Sequence, residues 1–153
     1  MIEGVRGIIP YIRLLRLPDQ YIQFGAAIAA GLYTGEKAWW IFWWAIATTL
    51  ISLAAFIANE LTDGNDVDRY SWNPLHVAAK EVNRILAWEI AGASALAGLL
   101  LAAYVSLFWW AAAMLVVGLA YSLEPIRSKR RFLFDALGQL VVWWVIPFTA
   151  PIA

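Results

Sequence analysis

The 153-residue chain has no cysteine and a single histidine, His76. The first absence removes disulfides, thiolate catalysis and zinc–sulfur sites together. Charge is scarce too. Only 14% of residues are charged, against about 25% in a soluble domain. Eleven Lys+Arg balance eleven Asp+Glu, so net charge says nothing about nucleic acid; no basic groove appears in the sequence, and nucleic acid is not an expected partner. Walker, Rossmann and zincin patterns are missing. A cleavable signal is not expected, because Arg13, Arg16 and Asp19 interrupt the apolar run GIIPYIRLLRLPDQ. What is abundant is apolar: 63% hydrophobic residues, with ten Trp, six Tyr and seven Phe. Such a composition predicts an all-α, multi-pass transmembrane bundle, residues 1–153 forming one membrane domain.

The apolar runs predict about five membrane helices. The first runs from about Leu17 to Tyr33, with Pro18 in its first turn and a small face from Gly25 to Gly31. Gly35, Glu36 and Lys37 make the next turn. The second, Ala38–Ala58, has 21 residues without a charge, matching the roughly 20 that cross about 30 Å. From Ile85 to Leu123 only Glu89 interrupts the run, which is too long for one crossing. A break near Tyr104 to Phe108 divides it into spans over about 85–104 and 107–123. A fifth stretch begins near Phe132 and meets Pro147 and Pro151. Trp pairs at 39/40, 43/44, 109/110 and 143/144 sit near these ends, where an interfacial aromatic belt is expected. A wall of a binding site is the functional alternative for one or two of them.

Charge placement orients the chain. Counted across these spans, ten of the eleven Lys/Arg fall on one side, and only Lys37 lies opposite. The bias predicts a cell-membrane protein with its N-terminus in the cytoplasm.

Two polar segments share that side. The first, ANELTDGNDVDRYSWNPLH (58–76), packs four acids and two Asn into residues 59–68. If the second helix continues, Asn59, Asp63 and Asp66 share one face at its mouth, and Glu60 joins the rim. Crowded carboxylates repel one another, and a hard divalent cation relieves the repulsion. Asn59, Asp63, Asp66 and Asp68 are therefore candidate Mg²⁺ ligands and catalytic residues. A hydrophilic loop with a helix cap is the plainer account of the same residues.

The second segment, YSLEPIRSKRRFLFD (121–135), gathers Arg127, Lys129, Arg130 and Arg131. Topology alone explains a basic loop. Beside an acidic cluster it also suits a diphosphate, with metal bridging the oxygens and Arg/Lys taking the remaining charge. Asp135 and Gln139, one turn apart in an apolar run, imply a polar patch inside the bundle.

These two segments resemble signatures of UbiA-type intramembrane polyprenyl transferases. Asn59-Glu60-Leu61-Thr62-Asp63 resembles the opening of the family's Asn-Asp-x-x-Asp-x-x-x-Asp, with Glu in the first Asp position. The third acid of that pattern falls on Val67, so Asp68 takes it through a one-residue insertion or Asp66 through a shift. Tyr121-Ser122-Leu123-Glu124-Pro125-Ile126-Arg127-Ser128-Lys129 with Asp135 resembles the loop after the family's fourth helix, and YIRLLRLPDQYIQFGAAIAAG resembles the family's start. The resemblance implies half of a UbiA-like fold. It implies Mg²⁺-dependent transfer of a prenyl group from a prenyl diphosphate to a lipophilic acceptor: an aromatic, a quinone precursor or a carotenoid. Tyr121, Arg127, Lys129 and Arg130 would hold the diphosphate. The family's second Asp-rich motif has no counterpart here. The expectation is a fragment, a half-length relative that pairs with a second membrane chain, or a non-catalytic membrane subunit. Weak turnover by the isolated chain is expected on that ground. A transporter is a poorer reading, since intramembrane polarity is too sparse for a pathway. His76 is expected to be solvated, and Glu89 to snorkel to the interface or pair with Arg84.

Overall fold

A computed structural model describes residues 2–63, 81–126, 137–138, 140–141 and 145–152, with the backbone alone at 2–6 and 63. All regular structure among the described residues is helical. In chain order these are α1 (Ile2–Leu14), a 3₁₀ turn (Leu17–Gln20), α2 (Tyr21–Thr34), α3 (Ala38–Asp63), α4 (Arg84–Tyr104), α5 (Phe108–Ser122), α6 (Ile146–Thr149) and a 3₁₀ turn (Ala150–Ile152).

Helix ends follow local chemistry. Pro18 opens the 3₁₀ turn, so α2 starts at Tyr21, later than the apolar run suggests. Gly35 ends α2 at φ 73°, a left-handed conformation that costs glycine little. Its N–H reaches the Leu32 carbonyl (3.3 Å) while the Glu36 N–H reaches that of Gly31 (3.0 Å), closing a Schellman cap. The break expected between Tyr104 and Phe108 is present at Val105–Leu107, with Ser106 at φ 64°. Asn83 caps α4, its side-chain oxygen accepting from the N–H groups of Ile85 (2.9 Å) and Leu86 (3.3 Å). Helix α1 was not anticipated, because its charges and Pro10 obscure a 13-residue helix. The fifth apolar stretch lies largely outside the described residues; α6, with buried Ile146 and Pro147, belongs to it.

Helices α3 and α4 are long and apolar enough to cross a membrane, and α5 is a shorter apolar helix. Helix α3 is central, packing on α2, α5 and most extensively α4. Small residues permit the close approach. A Cβ on Gly98 would meet Ile51 Cγ1 at 2.9 Å and the Ala47 carbonyl at 3.0 Å; one on Gly118 would meet Ala55 Cβ at 2.9 Å. On α2 the small face is Ala26, Ala27, Ala30 and Gly31, all buried, while Gly25 faces outward.

Two apolar clusters result. The larger is built on Trp44, Ile51, Ala102, Met114 and Ile146. The smaller joins Leu14, Ile57, Leu61, Val82, Ala87 and Ala91. The aromatic belt needs correction in one place. Trp44 is fully buried and donates its indole N–H to the Pro147 carbonyl (3.2 Å), because an indole can enter a core when its one donor is satisfied. Trp40 likewise donates to the Val105 carbonyl (3.1 Å). Trp39, Tyr104, Phe108 and Trp109 keep the outward, belt-like placement.

Candidate functional site

The last turns of α3 change character from apolar to polar. The helix extends five residues past Ala58, so Asn59 and Asp63, four apart, occupy one helical face as the spacing required. Successive residues point about 100° apart, and Asn59 and Glu60 accordingly meet different neighbours.

Asn59 faces α5. Its side-chain oxygen accepts a hydrogen bond from Ser122 Oγ at 2.9 Å. The contact joins the acidic segment to the Tyr121-Ser122 segment, two motifs far apart in the chain. A cavity of about 330 Å³ opens beside it, and both Asn59 and Tyr121 line it. Among the described residues, Arg16, Asp19 and Gln23 add to the polar wall and Phe56 to the apolar one.

Glu60 does not join the rim as expected. It is 2% exposed and faces the corner between α1 and α2, where Arg16 Nη1 lies 3.2 Å from its Oε1. A carboxylate that deep needs a cation, and the chain bends to supply one. Arg16 adopts the left-handed conformation (φ 47°, ψ 41°), uncommon for a side chain of its size. Its Nε contacts Asp19 Oδ2 at 2.8 Å, and its guanidinium carbon sits 4.8 Å from the centre of the Phe56 ring. Two acids and an aromatic face thus hold one guanidinium at the cavity wall. Arg84 supports the same region, donating from Nη2 to the Leu61 carbonyl (3.0 Å) near the C-terminal end of α3.

Gln23 is buried. With its amide oriented to satisfy both ends, Nε2 donates to the carbonyls of Asp19 (3.2 Å) and Gln20 (3.3 Å), bracing the 3₁₀ turn against α2.

Of the anticipated site residues, the described structure therefore brings Asn59 and Tyr121 to one cavity. Asp63 ends α3 one turn beyond Asn59, with its side chain outside the described residues. Asp66, Asp68, Arg127, Lys129 and Arg130 also lie outside them, as do His76, Arg131, Asp135 and Gln139. Glu89 is exposed on α4. No group of three acidic or histidine ligands occurs among the described residues. Among the described residues that line the cavity, the Asn59 amide and the Asp19 carboxylate offer oxygen donors of the kind Mg²⁺ accepts. Sequence reading missed Arg16, Asp19 and Gln23. The available signal was Glu60 itself, an acid in a long apolar helix that demands a cationic partner.

Trp39 near the start of α3 and Asn59 near its end are twenty residues apart, or about 30 Å along the axis. That is about one hydrocarbon thickness. Comparison with protein-family models, with curated proteins and with solved structures finds no match.

Proposed function

We propose that this chain is a multi-pass membrane bundle carrying one wall of a UbiA-like prenyl-transfer site at its cytoplasmic face. The observation that supports it most is the Asn59–Ser122 hydrogen bond. It joins one residue from each of the two segments that resemble the family's signatures, beside the cavity that Asn59 and Tyr121 line. The Trp39-to-Asn59 span adds support, since a cavity at headgroup level suits a ligand with a charged head and an apolar tail.

In this reading Asn59, Asp63 and one of Asp66 or Asp68 hold Mg²⁺, which supplies charge neutralisation for a prenyl diphosphate. Arg127, Lys129, Arg130 and Tyr121 bind the diphosphate oxygens and stabilise the negative charge as the allylic C–O bond breaks, its electron pair leaving with the diphosphate. The acceptor forms the new bond to the freed carbon and loses a proton. Phe56 and the neighbouring apolar wall keep water from that carbon.

A non-catalytic membrane subunit is the second reading. Glu60 favours it: the residue at the signature's first Asp position is committed to Arg16.

The two readings separate in a radiolabelled prenyl-transfer assay in nanodiscs, with excess Mg²⁺ and a panel of aromatic and carotenoid acceptors. Slow, Mg²⁺-dependent transfer that Asp63→Ala abolishes supports the transferase wall. Absence of both transfer and Mg²⁺-dependent prenyl diphosphate binding leaves the subunit.

A further inference from the structure

Helix α1 differs from every other long helix described. Helices α2 to α5 are apolar nearly all round, whereas α1 separates an apolar stripe from a polar one. At 13 residues it is about 20 Å long, too short to cross a hydrocarbon core of about 30 Å. One face is anchored to the bundle. Pro10 and Leu14, four apart, are buried, and Leu14 packs in the cluster with Ile57, Leu61 and Val82. Tyr11 Oη accepts from the Asn83 N–H at 3.1 Å. The other face is bare: Ile8 is 58% exposed, Ile9 41% and Ile12 51%. Arg13 is exposed beside them.

The stripe does not stop with the helix. Exposed Leu17 and Tyr21 continue it onto α2, whose outward Leu32 and Tyr33 carry the same apolar character to the far end. Bilayer is the occupant this continuity selects: one apolar surface running from an in-plane helix onto an apolar helix, with a cation at the boundary. A short helix with opposed faces and basic residues lies in the headgroup–acyl interface.

We propose that α1 is an in-plane membrane anchor, its Ile8, Ile9 and Ile12 seated in the acyl boundary of the bilayer. The anchor also sets the cavity rim. Only Leu15 and Arg16 separate α1 from the 3₁₀ turn, and both continue its hydrogen bonding, Leu15 N to the Tyr11 carbonyl (3.1 Å) and Arg16 N to that of Arg13 (3.0 Å). Seating α1 in lipid thus holds Arg16, a cavity residue, at the level of the lipid phosphates. The inference rests on the membrane-spanning reading above.

The absence of native cysteine makes the test clean. Single variants Ile8→Cys, Ile12→Cys and Arg13→Cys carry a nitroxide in nanodiscs of phosphatidylcholine and phosphatidylglycerol (3:1). Collision rates with oxygen and with a water-soluble nickel chelate give depth. Leu96→Cys on α4 and Glu36→Cys in the α2–α3 turn, both exposed positions, serve as references. Labels at 8 and 12 are expected to favour oxygen strongly and lie about 5–10 Å inside the phosphates, with the label at 13 nearer water. Nickel access at 8 and 12 equal to that at 36 overturns the anchor. Shielding from both probes also overturns it, since protein then covers the stripe. If the label at 96 is itself open to nickel, the spanning reading has failed first.

Discussion

The two ends of α3 are built on opposite plans. At its start, Trp40 and Trp44 fill space and satisfy their only polar atoms on the backbone carbonyls of Val105 and Pro147. At its end, Asn59 and Glu60 bring polar groups into the bundle and require partners from elsewhere, Ser122 and Arg16. The first plan makes a sealed apolar core. The second leaves a cavity with an amide, a guanidinium and a phenol on its walls. A buried polar group is costly unless paired, and at this end of α3 the partners come from other elements of the fold.

The strongest break in this comparison is at Arg16. Arg16→Ala removes the guanidinium paired with the buried Glu60 carboxylate and is expected to cost about 3–5 kcal/mol. Arg16→Leu combined with Glu60→Leu should recover most of that loss, because an apolar pair replaces the ion pair. Unfolding by SDS titration in mixed micelles reads both. A double variant as unstable as the single one would show that the ion pair is not what holds this end.

Close packing is expected to matter along α3, at its middle and near its polar end. Gly98→Ala and Gly118→Ala should each cost about 1–3 kcal/mol by overpacking. They should differ in a second readout. The methyl at 118 pushes α5 from Ala55, beside Asn59, and should weaken prenyl diphosphate binding, while Gly98→Ala acts on stability alone. Equal binding by the two variants would detach the cavity from the α3–α5 contact.

Ser122→Ala should cost about 0.5–1.5 kcal/mol, the worth of one hydrogen bond, with a larger proportional loss of ligand affinity, since the Asn59 amide loses its donor on α5. Thermal melts beside binding isotherms separate the two effects. The smallest change is expected for Trp39→Leu at the exposed start of α3, within about 0.5 kcal/mol of the parent and with unchanged ligand binding.

Much of this architecture is legible in the sequence. Uninterrupted apolar runs give α3, α4 and α5 to within a few residues, and the excess length of the third run requires the break at Val105–Leu107. Asn59 and Tyr121 are legible because helical spacing and the motif around each place polar groups at span ends. Helix α1 was hidden, since an amphipathic helix carrying charges and a proline does not read as a span. Arg16 was hidden for a different reason. A basic residue on the positive side has a sufficient topological explanation, and only the folded corner shows that it answers Glu60 across 44 positions. Trp44 misled because belt and core indoles look alike until their N–H partners are known.

The central claim is that the polar end of α3 is a diphosphate site whose metal-holding wall begins at Asn59. It is tested most directly by equilibrium binding of farnesyl diphosphate to the chain in nanodiscs, with Mg²⁺ and with EDTA, for the parent and for Asn59→Ala. The account predicts saturable binding that requires Mg²⁺ and weakens by about 10²-fold on losing the amide, roughly one strong oxygen contact. Binding that is the same in EDTA, or that Asn59→Ala leaves untouched, contradicts it.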